Sequence, residues 1–209
     1  MMMKRIVQII HNLIGKGFVS DRDAGKGTID PEMPADESHT AAEESRETVV
    51  VKDMSRSLKA LDGKTFDKIV GESLSGGRKT GCLLICDVDR CKEINDIYGR
   101  DIGDGVLRYV EDVLRSVFGG NTCIGSPGGD VFKLWLPVMS WQHADVIRRQ
   151  VGVVNDRLLH PSRELPPVSI SAGAAFCRMD DDCKSIHKRA NQALYRVKVG
   201  GRCGCEISV

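Results

Sequence analysis

The sequence has almost no net charge. Its 30 Lys and Arg residues nearly balance 29 Asp and Glu residues, which leaves a formal net charge of +1 over 209 residues. A chain without excess charge has no overall field to draw it to a nucleic-acid backbone or an acidic membrane. We therefore expect no nucleic-acid partner, and any anion-binding site must be local.

The sequence also lacks a CxxC pair and the His and Cys spacing of a zinc site, although it contains 8 cysteines. A chain of this length can build a hydrophobic core without disulfides. A reduced, cytoplasmic protein whose cysteines are mostly buried is therefore the favoured interpretation. Cys203 and Cys205, separated by one glycine, are the alternative place for redox or metal chemistry.

No apolar run is long enough to span a bilayer, which takes about 20 residues. The apolar segment at residues 6–14 is interrupted by polar side chains, and no signal-peptide cleavage site follows it. Its apolar positions recur at helical spacing, so residues 1–19 are predicted to form a short amphipathic helix. A docking or dimerising helix is one interpretation, and an anchor on a membrane surface is the other.

Residues 20–50 have the composition of a linker. From Ser20 to Thr48, nine acids stand against three bases among Gly, Pro, Ser and Thr. Such a segment buries too little apolar surface to offset the entropy lost on ordering. We predict an acidic flexible linker here, followed by one folded domain over residues 51–209.

The hydrophobic pattern beyond the linker switches between the strand period and the helix period, which predicts an α+β domain. A continuous apolar run predicts a buried strand that ends at Asp87, and Gly128, Gly129 and Asp130 are predicted to form a tight hairpin turn. The predicted strands are 82–86, 122–126, 131–137, 168–176 and 205–209. The predicted helices are 58–74, 92–98, one beginning at Gly103-Asp104, 141–159 and 183–198.

Polar residues in three sequence blocks have the chemistry that phosphoryl transfer requires. Asp87 at a strand end and Asp130 on a hairpin turn could share one Mg²⁺, which proteins hold by one or two carboxylates and substrate phosphates. The paired glycines let backbone amides approach phosphate oxygens. Lys198 and Arg202 offer compensating positive charge, with a solvated helix end as the alternative for both.

The order and spacing of these blocks resemble the GGDEF family of diguanylate cyclases over about residues 55–209. The blocks are Asp87 to Asp96 running on to Gly103-Asp104, then Gly128-Gly129-Asp130-Val131-Phe132, then Ala190 to Arg202. The resemblance implies a fold like the cyclase and polymerase palm, with a central, mainly antiparallel sheet of about five strands flanked by helices. It also implies cyclic di-GMP signalling, GTP as ligand, Mg²⁺ or Mn²⁺ as cofactor, and a homodimer for catalysis.

The resemblance assigns roles to individual residues. The metal falls on Asp87 and Asp130, assisted by the backbone carbonyl of Val88, and Asp130 is also the catalytic position. Guanine recognition falls on Asn95 and Asp104, because an amide and a carboxylate together match the hydrogen-bonding edge of guanine. Taken singly, these two could also be a helix-surface residue and an N-cap. The remaining contacts to GTP and its phosphates fall on Lys92, Gly128, Gly129, Lys198 and Arg202.

The signature departs from the family pattern at one position. Where the family has Glu-Phe after Gly-Gly-Asp, this chain has Val131-Phe132. A second-metal or proton-accepting role is then unfilled, and losing about 4 kcal/mol would slow turnover about a thousandfold. The family's product-inhibition motif would fall on residues 119–122, which contain neither its Arg nor its Asp.

These departures predict a degenerate GGDEF domain that binds GTP or another signalling protein and acts in regulation. A working diguanylate cyclase is the first alternative, because the residues inferred for guanine, phosphates and the first metal are present. A pure interaction scaffold is the second.

Overall fold

The computed structural model describes residues 60–75 and 80–208. The predictions for residues 1–19 and 20–50 lie outside the described residues, as does the start of the predicted domain at 51–59. The described helices are α1 Gly63–Ser75, α2 Cys91–Tyr98, α3 Arg100–Phe118, α4 Ala144–Leu159 and α5 Cys183–Val199. The described strands are β1 Cys82–Val88, β2 Cys123–Gly128, β3 Val131–Leu136, β4 Ile170–Phe176 and β5 Gly204–Ser208.

The five strands form one sheet in the order β2-β3-β1-β4-β5. β1 pairs antiparallel with β3 and with β4, β2 pairs antiparallel with β3, and β5 runs parallel to β4. The parallel pair is joined by α5, as a crossover connection requires. This architecture confirms the predicted α+β fold, with a mainly antiparallel five-stranded sheet flanked by helices.

Alternation of side chains along the strands divides the hydrophobic core into two layers. Phe132 and Leu134 face the layer that contains the apolar stripes of α3 and α4. Val131 and Trp135 face the other layer, which α1 and α5 cover. Because helices cover both faces, β1 is apolar on both sides until Asp87, where the strand reaches the end of the sheet.

Helix α3 begins at Arg100, three residues before the predicted start. Gly99 ends α2 with a φ of 85° and is also the residue that precedes α3. Asp101 lies in the first turn, where a carboxylate interacts favourably with the helix dipole. Asp104 is therefore in the second turn, and its alternative interpretation as an N-cap is wrong.

None of the eight cysteines, all of which lie in the described residues, forms a disulfide, and four of them, Cys82, Cys86, Cys91 and Cys123, are buried. Burial raises the pKa of the Cys205 thiol to about 12, which makes it a poor nucleophile at neutral pH. Within residues 60–75 and 80–208, no helix combines the length and the apolar character needed to cross a membrane.

Candidate functional site

Four segments of the chain meet at the end of the sheet where β1 stops. The amide of Val88 at the end of β1 donates to the backbone carbonyl of Asp130 in the β2–β3 hairpin, at 2.9 Å. From the loop between α5 and β5, the amide of Cys203 donates to the carboxylate of Asp89, at 3.1 Å. Helix α2 begins two residues after Asp89. The three sequence blocks therefore converge in space.

Asp87 carries the carboxylate nearest the centre of this convergence. Its side chain is 14% exposed and forms an ion pair with Nζ of Lys198 at 2.7 Å. Burial raises the pKa of Asp87, the charges of Asp130 and Asp89 raise it further, and Lys198 opposes the shift. Burial is the largest of these causes, so the ionised form of Asp87 is disfavoured despite its lysine partner. A cation bound at Asp87 would stabilise that form.

The pKa of the Cys91 thiol is influenced by the acids near it. Cys91 is the first residue of α2 and is 7% exposed. Burial raises the pKa of this thiol, and the carboxylates of Asp130, Asp87 and Asp104 raise it further. The two predicted metal acids and the predicted guanine acid therefore all lie near one buried side chain.

The turn of the β2–β3 hairpin is open to a ligand. Gly128 and Gly129 have φ values of 118° and 70°, which favour glycine because a side chain there is strained. Apart from the glycine itself and its chain neighbours, no atom lies within 4 Å of the position that a Cβ would take on either residue. The backbone of the turn is therefore accessible, and its contact with a phosphate stays a prediction.

Asn95 and Gly103 form the close contact between α2 and α3. The side-chain amide of Asn95 lies against Gly103, so that a Cβ on this glycine would collide with it. Gly103 is buried, while the next residue, Asp104, is exposed. The amide and the carboxylate predicted to recognise guanine are thus on neighbouring turns of two packed helices.

The three predicted phosphate-binding cations come from two sides of the site. Lys92 is exposed in the first turn of α2, whose N-cap residue, Arg90, makes no side-chain capping hydrogen bond. Lys198 lies in the last turn of α5 and contacts Asp87. Arg202 follows in the loop, with Nε 4.0 Å from Asp89 and a side chain 48% exposed.

Val131 lies directly opposite Asp87 in the pairing of β1 with β3. Directly opposed residues in an antiparallel pair have side chains on the same face, with Cβ atoms about 4.5–5.5 Å apart. Val131 is partly buried and packs against the layer that contains Trp135. An isopropyl group therefore stands beside Asp87, where the family pattern has a carboxylate.

Asp89 is a residue to which the sequence motifs assigned no role. It is 6% exposed, and its two carboxylate oxygens accept hydrogen bonds from the hydroxyls of Ser169 and Ser171 at 2.7 Å each. The signal in the sequence was its position directly after the buried strand, two residues from Asp87.

The oxygen ligands at this end of the sheet fit a hard divalent cation. Asp87 and Asp130 supply carboxylates close enough for the charge of one to raise the pKa of the other. Mg²⁺ is usually held by one or two carboxylates together with substrate phosphates, and Asp87 and Asp130 match the carboxylate part of that set. Neither histidine nor cysteine, which softer metals prefer, is required.

A second polar cluster lies deeper on the same face of the sheet. Candidate ligand atoms of Asp67 in α1 and of Cys183 and His187 in α5 all lie within 4.8 Å of one another. The ammonium of Lys133 already lies 3.2 Å from Asp67 and 3.4 Å from Nδ1 of His187. Burial and the charge of Lys133 lower the pKa of His187. Because Lys133 supplies the cation, we interpret this cluster as an ionic contact between α1, β3 and α5.

Comparison with known proteins gives consistent results. The family model described as "Diguanylate cyclase, GGDEF domain" matches residues 64–203. The chain is 34% identical over 124 residues to Diguanylate cyclase DgcM of Escherichia coli (strain K12), covering 57% of this chain and 29% of DgcM. It is 32% identical over 142 residues to Response regulator PleD of Caulobacter vibrioides (strain NA1000 / CB15N), covering 66% of this chain and 31% of PleD.

Among solved structures, the chain is similar to the GGDEF domain of DgcB from Caulobacter crescentus in complex with c-di-GMP. The TM-score is 0.64 at 25% identity, and the match covers 71% of this chain and 91% of that one. By contrast, the chain spans less than a third of the length of DgcM and of PleD.

Proposed function

Because this chain belongs to the GGDEF domain family, we propose that it acts in cyclic di-GMP signalling as a module that binds GTP with Mg²⁺ or Mn²⁺ and makes little or no cyclic di-GMP. One observation carries this proposal. Val131 is the cross-strand partner of Asp87. The carboxylate that the family pattern has at this position is therefore absent directly beside the acid that would hold the metal. The substitution therefore affects the reacting centre more than it affects the ligand contacts around it.

Binding of GTP is supported by residues that remain in place around the site. Asn95 and Asp104 would recognise the guanine base through an amide and a carboxylate on adjacent helices. Lys92, Lys198 and Arg202 would contact the phosphates, with the open Gly128-Gly129 turn offering backbone amides.

The metal would be held by Asp87 and Asp130, with the Val88 carbonyl assisting. A divalent cation at this position supplies charge stabilisation to a phosphoryl group. Val131 can neither ligate a second metal nor accept a proton, so the chemical step lacks one carboxylate. A loss of about 4 kcal/mol corresponds to about a thousandfold slower turnover.

Synthesis would in addition require two copies of the domain face to face, because each bound GTP must present its 3′-hydroxyl to the α-phosphate of the other. A module that binds GTP without turnover needs no such encounter. It could instead report GTP occupancy to another signalling protein.

The test is a product assay on four purified proteins incubated with GTP and Mg²⁺. These are the unmodified chain, Val131→Glu, Asp130→Ala and the control Val138→Glu, which adds the same charge at a valine that is 64% exposed. We expect GTP binding by calorimetry in the unmodified chain with little cyclic di-GMP. Product should rise about a thousandfold in Val131→Glu alone.

Two outcomes would overturn the proposal. Robust product from the unmodified chain, lost in Asp130→Ala, would make the protein a working cyclase. Absence of GTP binding at millimolar ligand would make it an interaction scaffold.

A further inference from the structure

We propose that Asp89 is a positioning residue that holds Arg202 where it can contact the phosphates of GTP. This inference rests on the proposed function, since Arg202 has a ligand only if the site binds GTP. Asp87 and Asp89 then have different tasks, although they are two residues apart in the chain. Asp87 faces the ligand, and Asp89 holds the neighbouring backbone segments in place.

Asp89 ties together three segments that are distant in the sequence. Its backbone amide donates to the carbonyl of Ser169 at 2.8 Å, and its carboxylate accepts from the hydroxyls of Ser169 and Ser171 at the start of β4. The same carboxylate accepts from the amide of Cys203 and pairs with the guanidinium of Arg202. A buried carboxylate with this many donors is held in one position.

The loop that Asp89 holds has a strained backbone. Within residues 60–75 and 80–208, the non-glycine residues with positive φ are Arg90 at 57°, Arg202 at 69° and Cys203 at 52°. Side chains disfavour this left-handed region, so the surrounding structure must stabilise it. All three residues adjoin Asp89: Arg90 follows it in the chain, and the other two contact its carboxylate.

The arrangement directs Arg202 outward. Asp89 and Arg202 both line a groove of about 320 Å³ between α2, the start of β4 and the α5–β5 loop. The Asp89 side chain is 4% exposed at its floor, and the Arg202 side chain is 48% exposed. The amide of Arg202 donates to the carbonyl of Val197 at 2.9 Å, which fixes the loop to α5 from the other side. The guanidinium therefore has the Asp89 carboxylate on one side, 4.0 Å from Nε, and is open to solvent on the other.

The first test compares ligands with and without phosphates. Affinities for GTP with Mg²⁺ and for guanosine are measured by NMR titration in the unmodified chain, Asp89→Asn, Arg202→Ala and the double variant. The loss of one charge-assisted contact should weaken GTP binding about tenfold in each single variant, with guanosine binding changed less than about twofold. The double variant should be no weaker than Arg202→Ala, because both substitutions remove the same contact.

The matched control is Asp181→Asn. Asp181 is also a buried carboxylate, 7% exposed, with several hydrogen-bond donors, but it precedes the other end of α5. Its substitution should leave the ratio of GTP to guanosine affinity unchanged.

The second test needs no ligand. Hydrogen exchange of the Cys203 amide, which donates to Asp89, should become at least about tenfold faster in Asp89→Asn, while amides that pair β4 with β5 keep their protection. If Asp89→Asn does not fold, Ser169→Ala is the milder variant. It removes a donor to the same carboxylate oxygen that accepts from Cys203, and it should accelerate exchange at Cys203 by a smaller factor.

Equal weakening of GTP and guanosine, additive losses in the double variant, or unchanged exchange at Cys203 would each overturn the positioning role. If the unmodified chain binds no GTP, the proposed function fails, and the phosphate part of this proposal fails with it. Exchange at Cys203 still decides separately whether Asp89 orders the loop.

Discussion

Two acids that contact opposite ends of α5, the buried Asp181 and the partly buried Asp87, have pKa shifts of opposite sign. Asp181, just before the helix, contacts the guanidinium of Arg189, while Asp87 contacts Lys198 in the last turn. Burial acts to raise the pKa of Asp181, but hydrogen bonds from Ser185, the amide of Arg178 and Arg189 outweigh it, so the net pKa is lowered. The pKa of Asp87 is raised, because burial and two neighbouring acids outweigh one lysine.

The difference separates a structural carboxylate from one prepared for a ligand. At the end of the sheet beside Asp181, the far end, hydrogen bonds and Arg189 stabilise the ionised acid. At the end beside Asp87, the near end, burial and two neighbouring acids outweigh the effect of Lys198. We therefore expect a cation from solution to bind at the near end rather than at the far end. Each acid has one basic partner, but the side chain of Asp181 is 4% exposed and that of Asp87 is 14% exposed. They differ further in the number of hydrogen-bond donors and of neighbouring acids.

Replacing each of the two acids by its neutral amide should give the largest difference in their effects on stability. Asp181→Asn is expected to lower the free energy of unfolding by about 3 kcal/mol, because it leaves the partly buried Arg189 without its carboxylate. Asp87→Asn should change stability by less than about 0.5 kcal/mol in metal-free buffer, since the charge it removes is poorly satisfied. Urea unfolding of both variants measures the contrast, and equal losses would contradict it.

Adding a carboxylate beside Asp87 should increase the electrostatic repulsion among the acids at this end of the sheet. Val131→Glu places an acid directly across from Asp87, and we expect it to cost about 1–2 kcal/mol of stability without metal. Mg²⁺ should restore most of this loss, because the third acid completes a cation site. Melting temperatures with and without Mg²⁺ test the prediction, with Val138→Glu as control. A loss that Mg²⁺ does not reverse would count against a metal site here.

The pH dependence of stability should have opposite signs for the two acids. The lowered pKa of Asp181 makes a contribution that is present at neutral pH and is lost as pH falls through its folded pKa. The advantage of the unmodified chain over Asp181→Asn should therefore shrink on acidification, by about 1.4 kcal/mol for each pH unit that separates the unfolded pKa from the folded pKa. The raised pKa of Asp87 has the opposite effect. The stability of Asp87→Asn relative to the unmodified chain should therefore increase as pH rises towards neutrality. Unfolding curves from about pH 3 to pH 7 measure both.

The smallest expected effect concerns the lysine at the near end. Lys198→Met removes an ammonium that competes with metal for Asp87, and Mn²⁺ should then bind about fivefold more tightly in the absence of nucleotide. Calorimetric titration with Mn²⁺ measures this, with Lys188→Met, an exposed position of the same helix, as control. Weaker Mn²⁺ binding in Lys198→Met would show that the lysine does not occupy the metal position.

The sequence predicted most of this fold, because its signals are local. Apolar periodicity and turn residues located the five strands to within a few residues, and the hairpin at Gly128-Gly129 was found from glycine chemistry. The start of α3 was missed. Gly103-Asp104 has the pattern of a helix start. In the structure, however, Gly103 leaves room for the side-chain amide of Asn95, and no local sequence pattern reveals this contact between helices.

The candidate site was predicted as a set of residues, and its geometry was not. The resemblance grouped Asp87, Asp130 and Lys198, but it could not indicate that Lys198 lies 2.7 Å from Asp87. The many donors around Asp89 were also hidden, because they come from β4 and from the α5–β5 loop, about 80 and 114 residues away in the chain.

The sequence by itself therefore determined which secondary structures form, which family the signature resembles and which carboxylate is absent at Val131. These follow from side-chain periodicity, turn chemistry and residue order, which are all properties of the linear sequence. Only the tertiary structure decided that Val131 faces Asp87 and that Asp89 rather than Asp87 is fully satisfied. Strand register and long-range hydrogen bonds depend on which segments pack together, and the balance of burial and charge that sets each acid's role exists only once they do.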